Sequence, residues 1–182
     1  SPYGAAKLAA EQIFAEAVSK HALRAAVSLR LFNVAGAIEP GAGGGWITDN
    51  QATRIIPALV QAIDQAQAIE LFNEQTQRDY IHVADVARAF KSAAQLLAGD
   101  SFRRYYPFNI GSGEGHTLRQ VVETAALHAG RTEVRLKAQA AGDPASVWAD
   151  SSAGRTALLW RPSHKLPEII KSVARAEKAR QQ

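Results

Sequence analysis

The sequence predicts an α/β fold, and three stretches carry that reading. "SPYGAAKLAAEQIF" is rich in Ala, Leu, Glu and Gln, has Pro2 in its first turn, and meets no Gly or Pro between Ala5 and Val27, which predicts a long helix. "AAVSLRLFN" at 25–33 is apolar at most positions, the pattern of a strand buried in a parallel sheet. "YPFNIGSGEGHTLRQVVETAALHAG" reads as strand, Gly-rich turn and helix, with Thr117 and Gln120 spaced as a capping box and Gly130 as a stop.

The other elements follow in order. "VAGAIEPGAGGGWITDN" is long, Gly-rich and irregular, more in keeping with a functional loop than a connector. Helical character resumes around Pro57, "IELF" at 69–72 is a short strand, and "RDYIHVADVARAFKSAAQLLAG" passes from an extended piece into a helix that ends at Gly99. "TEVRLKA" reads as a strand. Two short helices close the chain, one starting near Asp150 and one after Pro167, with Pro162 as the break between them. No internal repeat or clear linker divides the 182 residues, so one unit is expected.

Composition excludes several function classes. With 47% hydrophobic and 21% charged residues the chain is neither disordered nor membrane-spanning in character. The absence of Cys rules out disulfides, thiol nucleophiles and Cys-ligated zinc and fits a cytoplasmic location; the five His residues lack metal-ligand spacing, so no metal is expected. The net charge of +4 arises largely at Arg103, Arg104 and the C-terminal tail, and "RRYY" matches no nucleic-acid motif. A mild positive balance suits an anionic small molecule.

Chemistry is suggested first by Tyr3 and Lys7, which lie one above the other on a helix. An ammonium beside a phenol favours the phenolate, so such a Tyr can act as a base near neutral pH; the bland alternative is an exposed Tyr and a solvated Lys. "GSGEGH" at 111–116 joins a strand to a helix, yet its glycines alternate and do not follow the G-x-G-x-x-G spacing of a dinucleotide-binding turn. A tight structural turn is the expectation there.

Six phrases in order, "SPYGAAKLAAE", "LRLFNVAGA", "RDYIHVADVARAF", "FNIGSGEGHTLRQVVE", "GDPASVWADSSAG" and "LLWRP", resemble the extended short-chain dehydrogenase/reductase family in its NAD-dependent epimerase/dehydratase branch. The likeness is greatest to the C-terminal half of the UDP-glucose (UDP-galactose) 4-epimerases. It implies the last part of an NAD(P)-binding Rossmann domain at 1–33 and, at 34–182, mainly a small α/β domain for a nucleotide sugar, with a strand near 106–110 returning to the Rossmann sheet. The N-terminal Rossmann half, with its glycine fingerprint and a catalytic Ser or Thr, would be missing, leaving this chain alone inactive.

The resemblance implies Tyr3 and Lys7 as the catalytic pair, both also touching NAD, with Phe32 near the nicotinamide. It places Asn33 and Arg78 on the diphosphate of a UDP-sugar, Asp143 near the uridine ribose, and Val147 where the sugar 2-substituent swings. The implied reaction is interconversion of UDP-glucose and UDP-galactose, and of the N-acetylhexosamines, by NAD-dependent oxidation and re-reduction at C4 in a homodimer that packs through the face of Ala5, Leu8, Ala9, Gln12 and Ala15. Structural alternatives are a surface ion pair for Arg78 with Asp79, a turn for Asp143 and a core position for Val147. For His82 an internal role is preferred, and for Asp85 and Asp150 roles at helix N-termini. Two departures stand out. Ala140 occupies a position where epimerases carry a phosphate-binding Arg, with Lys137 as a replacement, and the 73–77 segment is short, as in nucleotide-sugar 4,6-dehydratases. That dehydration and a non-catalytic nucleotide-sugar-binding relative are the alternatives.

Overall fold

The computed structural model describes residues 1–41, 46–48, 55–65, 67, 69–72, 74–99, 104–129, 136–139 and 146–180, with backbone only at 69–72 and 136–139. The elements run α1 (Pro2–Ser19), β1 (Ala25–Leu31), β2 (Asn33–Ala35), β3 (Ala37–Ile38), β4 (Ile47–Thr48), α2 (Ile55–Asp64), β5 (Ile69–Phe72), β6 (Gln77–His82), α3 (Val83–Gly99), β7 (Arg104–Ile110), β8 (Gly115–Thr117), α4 (Leu118–His128), β9 (Leu136–Gln139), β10 (Ser146–Val147), α5 (Ser152–Ala157) and α6 (Leu166–Arg180). The α/β expectation holds. The last helix differs from expectation: it runs for 15 residues, because Pro167 falls in its first turn, where proline is tolerated, and buried Ile169, Ile170, Val173 and Ala176 recur at helical spacing beyond it.

Two sheet systems organise the chain. β1 and β7 pair in parallel from Ala25 with Arg104 to Leu31 with Ile110. A second sheet runs β10-β6-β2, with β8 also paired to β6. Alternation along β6 serves two cores, because successive strand residues face opposite ways. Tyr80 packs with Ile56, Leu59 and Ile63 of α2, Val121 and Val122 of α4 and Ile169 and Ile170 of α6. Ile81 packs with Val86 and Ala89 of α3, Phe108 and Ile110 of β7, Leu158 and Trp160. The capping box forms as read: Gln120 N donates to Thr117 Oγ1 at 3.1 Å, and Thr117 N donates to Gln120 Oε1 at 2.8 Å.

Asp79 ties these parts together. Its side chain is 1% exposed, so the surface ion pair considered for Arg78 and Asp79 is not what forms. Instead Oδ1 accepts from Ser112 N at 2.8 Å and Ser112 Oγ at 2.7 Å, while Oδ2 accepts from Gly113 N at 2.9 Å and Ala149 N at 3.1 Å. A buried charge is tolerable only with such full satisfaction. Gly111 is required beside it, since a Cβ there would lie 2.5 Å from Asp79 Oδ2 and 2.6 Å from the Ala149 Cβ. Asp79→Asn keeps the shape but turns an amide NH2 toward two N–H donors. Unfolding in urea should show a loss of about 2 to 4 kcal/mol with an unchanged slope.

Candidate active site

α1 carries Tyr3 and Lys7 on one face, with the Lys7 Nζ 5.4 Å from the centre of the Tyr3 ring. The helix starts where the sequence places it: Ser1 Oγ accepts from Gly4 N at 3.2 Å, and Pro2 occupies the first turn. Tyr3 is 73% exposed and stands at the rim of an open cleft of about 460 Å³. Leu31, Phe32, Val34, Ala35 and Gly36 form one side of it, Ile47, Thr48 and Val83 the other. Phe32 is fixed between β1 and β2 by its amide, which donates to Ile110 O at 3.1 Å. Thus the structure brings Tyr3, Lys7 and Phe32 to one place.

A second cavity of about 140 Å³ shares the walls Val34, Ala35, Gly36 and Thr48 with this cleft and is also lined by Asn33, Tyr80, Ile55, Ile56, Pro57 and Val173. Register shows which neighbours share its sheet face. Asn33 pairs with Tyr80 and Val147 with Arg78, while Arg78 and Tyr80 are two residues apart on β6. Paired residues and residues two apart lie on the same side, so Asn33, Tyr80, Arg78 and Val147 share one face and Asp79 lies on the other. Val147 is 41% exposed, which excludes the core position considered for it. Asp143 and Ala140 lie outside the described residues.

Tyr80 was not foreseen, although the alternation of "QRDYIH" signals that it shares a face with Arg78. Burial pushes its phenol up, partly offset by the Arg78 charge and a hydrogen bond with Asn33. Arg78 Nη1 donates to Gln77 O at 2.8 Å, which holds the start of the side chain's fork against its own strand.

The Gly-rich turn at 111–113 offers no anion cradle, because its amides at Ser112 and Gly113 are already given to Asp79. The structural reading of that turn is borne out. Asp150 caps α5 from one residue before its first flanking position: Ser152 N donates to Asp150 Oδ1 at 3.0 Å, and hydrogen bonding from the Ser152 hydroxyl first, then from this amide, holds the carboxyl below its ordinary range.

His82 and Asp85 take internal roles. The His82 Nδ1 accepts from Ala84 N at 3.1 Å, and its Nε2 lies 3.2 Å from Ser172 Oγ, which itself donates to Ile169 O at 2.7 Å. Nε2 therefore carries the proton and donates to Ser172, and the ring is neutral. It stacks on His164 at 4.1 Å and fills the space where any Cβ at Gly36 would sit, which requires glycine there at φ +92°. Burial would raise the Asp85 carboxyl, but hydrogen bonds from the His164 side chain and from the Ser163 and His164 amides outweigh it and hold it low.

A model of the NAD dependent epimerase/dehydratase family matches residues 1–111. The chain belongs to this family. A UDP-glucose 4-epimerase of Halalkalibacterium halodurans is 33% identical over 93% of the chain, which covers 52% of that relative. The UDP-glucose 4-epimerase of Brucella ovis, solved in complex with NAD, is 31% identical with a TM-score of 0.81 over 96% of this chain and 55% of its own. That of Stenotrophomonas maltophila, solved with NAD and formylated UDP-arabinopyranose, is 27% identical with a TM-score of 0.85 over 100% of this chain and 56% of its own. The chain thus spans about half the length of the relatives it matches, and the matched part is their C-terminal half.

His82 yields a pH prediction for this family member. Burial first, then the His164 charge, lower its pKa from 6.5 to about 4. The unfolded chain therefore binds a proton at a pH where the fold does not, and the stability from neutral His82 is complete above about pH 6.5 and lost as pH falls toward 4. Urea unfolding at pH 7 and pH 5 should differ by about 2 kcal/mol from this residue, and His82→Gln should remove most of that difference.

Proposed function

We propose that the intact protein interconverts UDP-glucose and UDP-galactose, and accepts UDP-N-acetylhexosamines, by NAD-dependent oxidation and re-reduction at sugar C4. The observation that carries this is the Tyr3 and Lys7 pair at the rim of a cleft that Phe32 lines and that shares walls at Val34, Ala35, Gly36 and Thr48 with the cavity beside Asn33 and Tyr80. Residues 1–33, with the parallel β1 and β7 pair, would complete a Rossmann domain, and 34–182 would mainly form the nucleotide-sugar domain.

The side chains fit a nicotinamide at this end of the cleft: an apolar wall at Phe32 and Val34, with the phenol and ammonium at its edge. NAD, when bound, supplies the hydride acceptor for C4. Tyr3 as phenolate takes the proton of the sugar 4-hydroxyl and returns it after the keto sugar has presented its other face. Lys7 favours the phenolate and donates to the nicotinamide ribose. Asn33 and Arg78 hold the diphosphate, for which a guanidinium fork is well shaped, and Asp143 holds the uridine ribose. Exposed Leu8, on the face it shares with Ala5, Ala9, Gln12 and Ala15, supports a homodimer packed through that face of α1.

Val147, exposed beside Arg78, is the proposed gate for the 2-substituent, small enough to admit an N-acetyl group. The test is turnover by the full-length enzyme with both substrate types. Tyr3→Phe should lower kcat at least about a hundredfold with both. Val147→Tyr should lower the specificity constant for UDP-N-acetylgalactosamine roughly tenfold while sparing UDP-galactose, an equal loss on both counting against the gate.

A further inference from the structure

α1 holds to the rest of the described chain by few contacts, Val18 being its one buried residue, so what sets its rotation matters. Glu11 stands four residues after Lys7 and eight after Tyr3, on the same face. It does not turn to Lys7. Arg30 of β1 grips it with both arms of its fork: Nε donates to Oε1 at 2.8 Å and Nη2 to Oε2 at 2.6 Å. Tyr105 of β7, whose hydroxyl donates to Ser28 Oγ at 2.8 Å, adds a contact from below. Among the described residues Lys7 has no carboxylate partner, and its ammonium lies over Tyr3.

The spacing makes a competing arrangement available. Lys and a carboxylate at i and i+4 share a helix face, and even in this order, the weaker of the two, a Lys7–Glu11 pair would draw the ammonium away from Tyr3 and neutralise its field. We propose that Arg30 is a positioning residue for the Tyr3 and Lys7 pair: by holding Glu11 in a bidentate grip it keeps that carboxylate from Lys7 and leaves the Lys7 charge for the phenol. This rests on the acid–base reading of Tyr3 and Lys7 and adds the residue that protects it. The groups facing Glu11 are Arg30 from β1, Tyr105 from β7 and Lys7 on its own helix. The charged group facing Tyr3 is Lys7, on the same helix, while among the described residues the cleft lining supplied by the other elements carries no charge.

Replacing Arg30 alone frees Glu11 to take Lys7; replacing both returns Lys7 to Tyr3. A merely structural ion pair would behave oppositely, with the double variant no better than either single one. The experiment follows the ring-carbon NMR signal of Tyr3, assigned with Tyr3→Phe, through an alkaline titration of the 182-residue chain and its variants. Arg30→Leu should move the midpoint upward by about half a unit to one unit, Glu11→Gln should leave it in place, and Glu11→Gln with Arg30→Leu should restore it. In the full-length enzyme the acidic limb of kcat against pH should move in the same pattern. Unchanged midpoints in Arg30→Leu, or a double variant displaced as far as Arg30→Leu, would overturn the proposal whether or not the enzyme turns over UDP-sugars. Absent turnover with the predicted midpoints would instead count against the epimerase reading alone.

Discussion

A single buried carboxylate organises the region on which the proposed site depends. Asp79 gathers the turn at 111–113 and the amide of Ala149 onto one strand, and all four of its hydrogen bonds cross between segments more than thirty residues apart in sequence. Removing such a group leaves several buried donors unpaired, a larger cost than the net value of the bonds themselves. Because strand residues alternate, fixing Asp79 on one side of β6 also fixes Arg78 and Tyr80 on the other. The clamp thereby aims the face shared by Asn33, Arg78, Tyr80 and Val147.

The same alternation explains how six residues serve two cores and a cavity. Tyr80 closes the helical core of α2, α4 and α6, Ile81 closes the core around α3 and β7, and His82 supports the tight backbone at Gly36. The cleft at Tyr3 and the cavity at Tyr80 then meet along β2. Their shared walls set the phenol of Tyr3 near one and the polar groups of Asn33 and Tyr80 in the other, the arrangement on which the proposed function rests.

Much of this was legible in the sequence because the signals are local. A capping box, a Pro in a first turn and an uninterrupted run of helix formers need no knowledge of the rest of the chain, and the one-face placement of Tyr3 and Lys7 follows from helix geometry. What was not legible depends on which strands become neighbours. "RD" at 78–79 leaves a surface ion pair open as the alternative for Arg78 until Asp79 is seen to be held by the 111–113 turn. Val147 keeps a core position as its alternative until its two-residue strand is seen to pair at Gln77 and Arg78, with its side chain left exposed. The sequence predicts a short last helix because Pro167 looks like a boundary, whereas the apolar spacing after it carries α6 on to Arg180. Tyr80 was passed over since a lone aromatic in a strand gives no sign of the Asn33 that the fold brings beside it.

Under the proposed function the face that carries Asn33 and Arg78 meets the nucleotide diphosphate, while the glycine turn at 111–113 serves Asp79. The most direct measurement is a UDP titration of the isotopically labelled chain followed by backbone amide shifts. The account predicts perturbations concentrated at 33–36 and 78–82, with 111–113 unmoved. Shifts centred on Gly111, Ser112 and Gly113, with 33–36 silent, would contradict it.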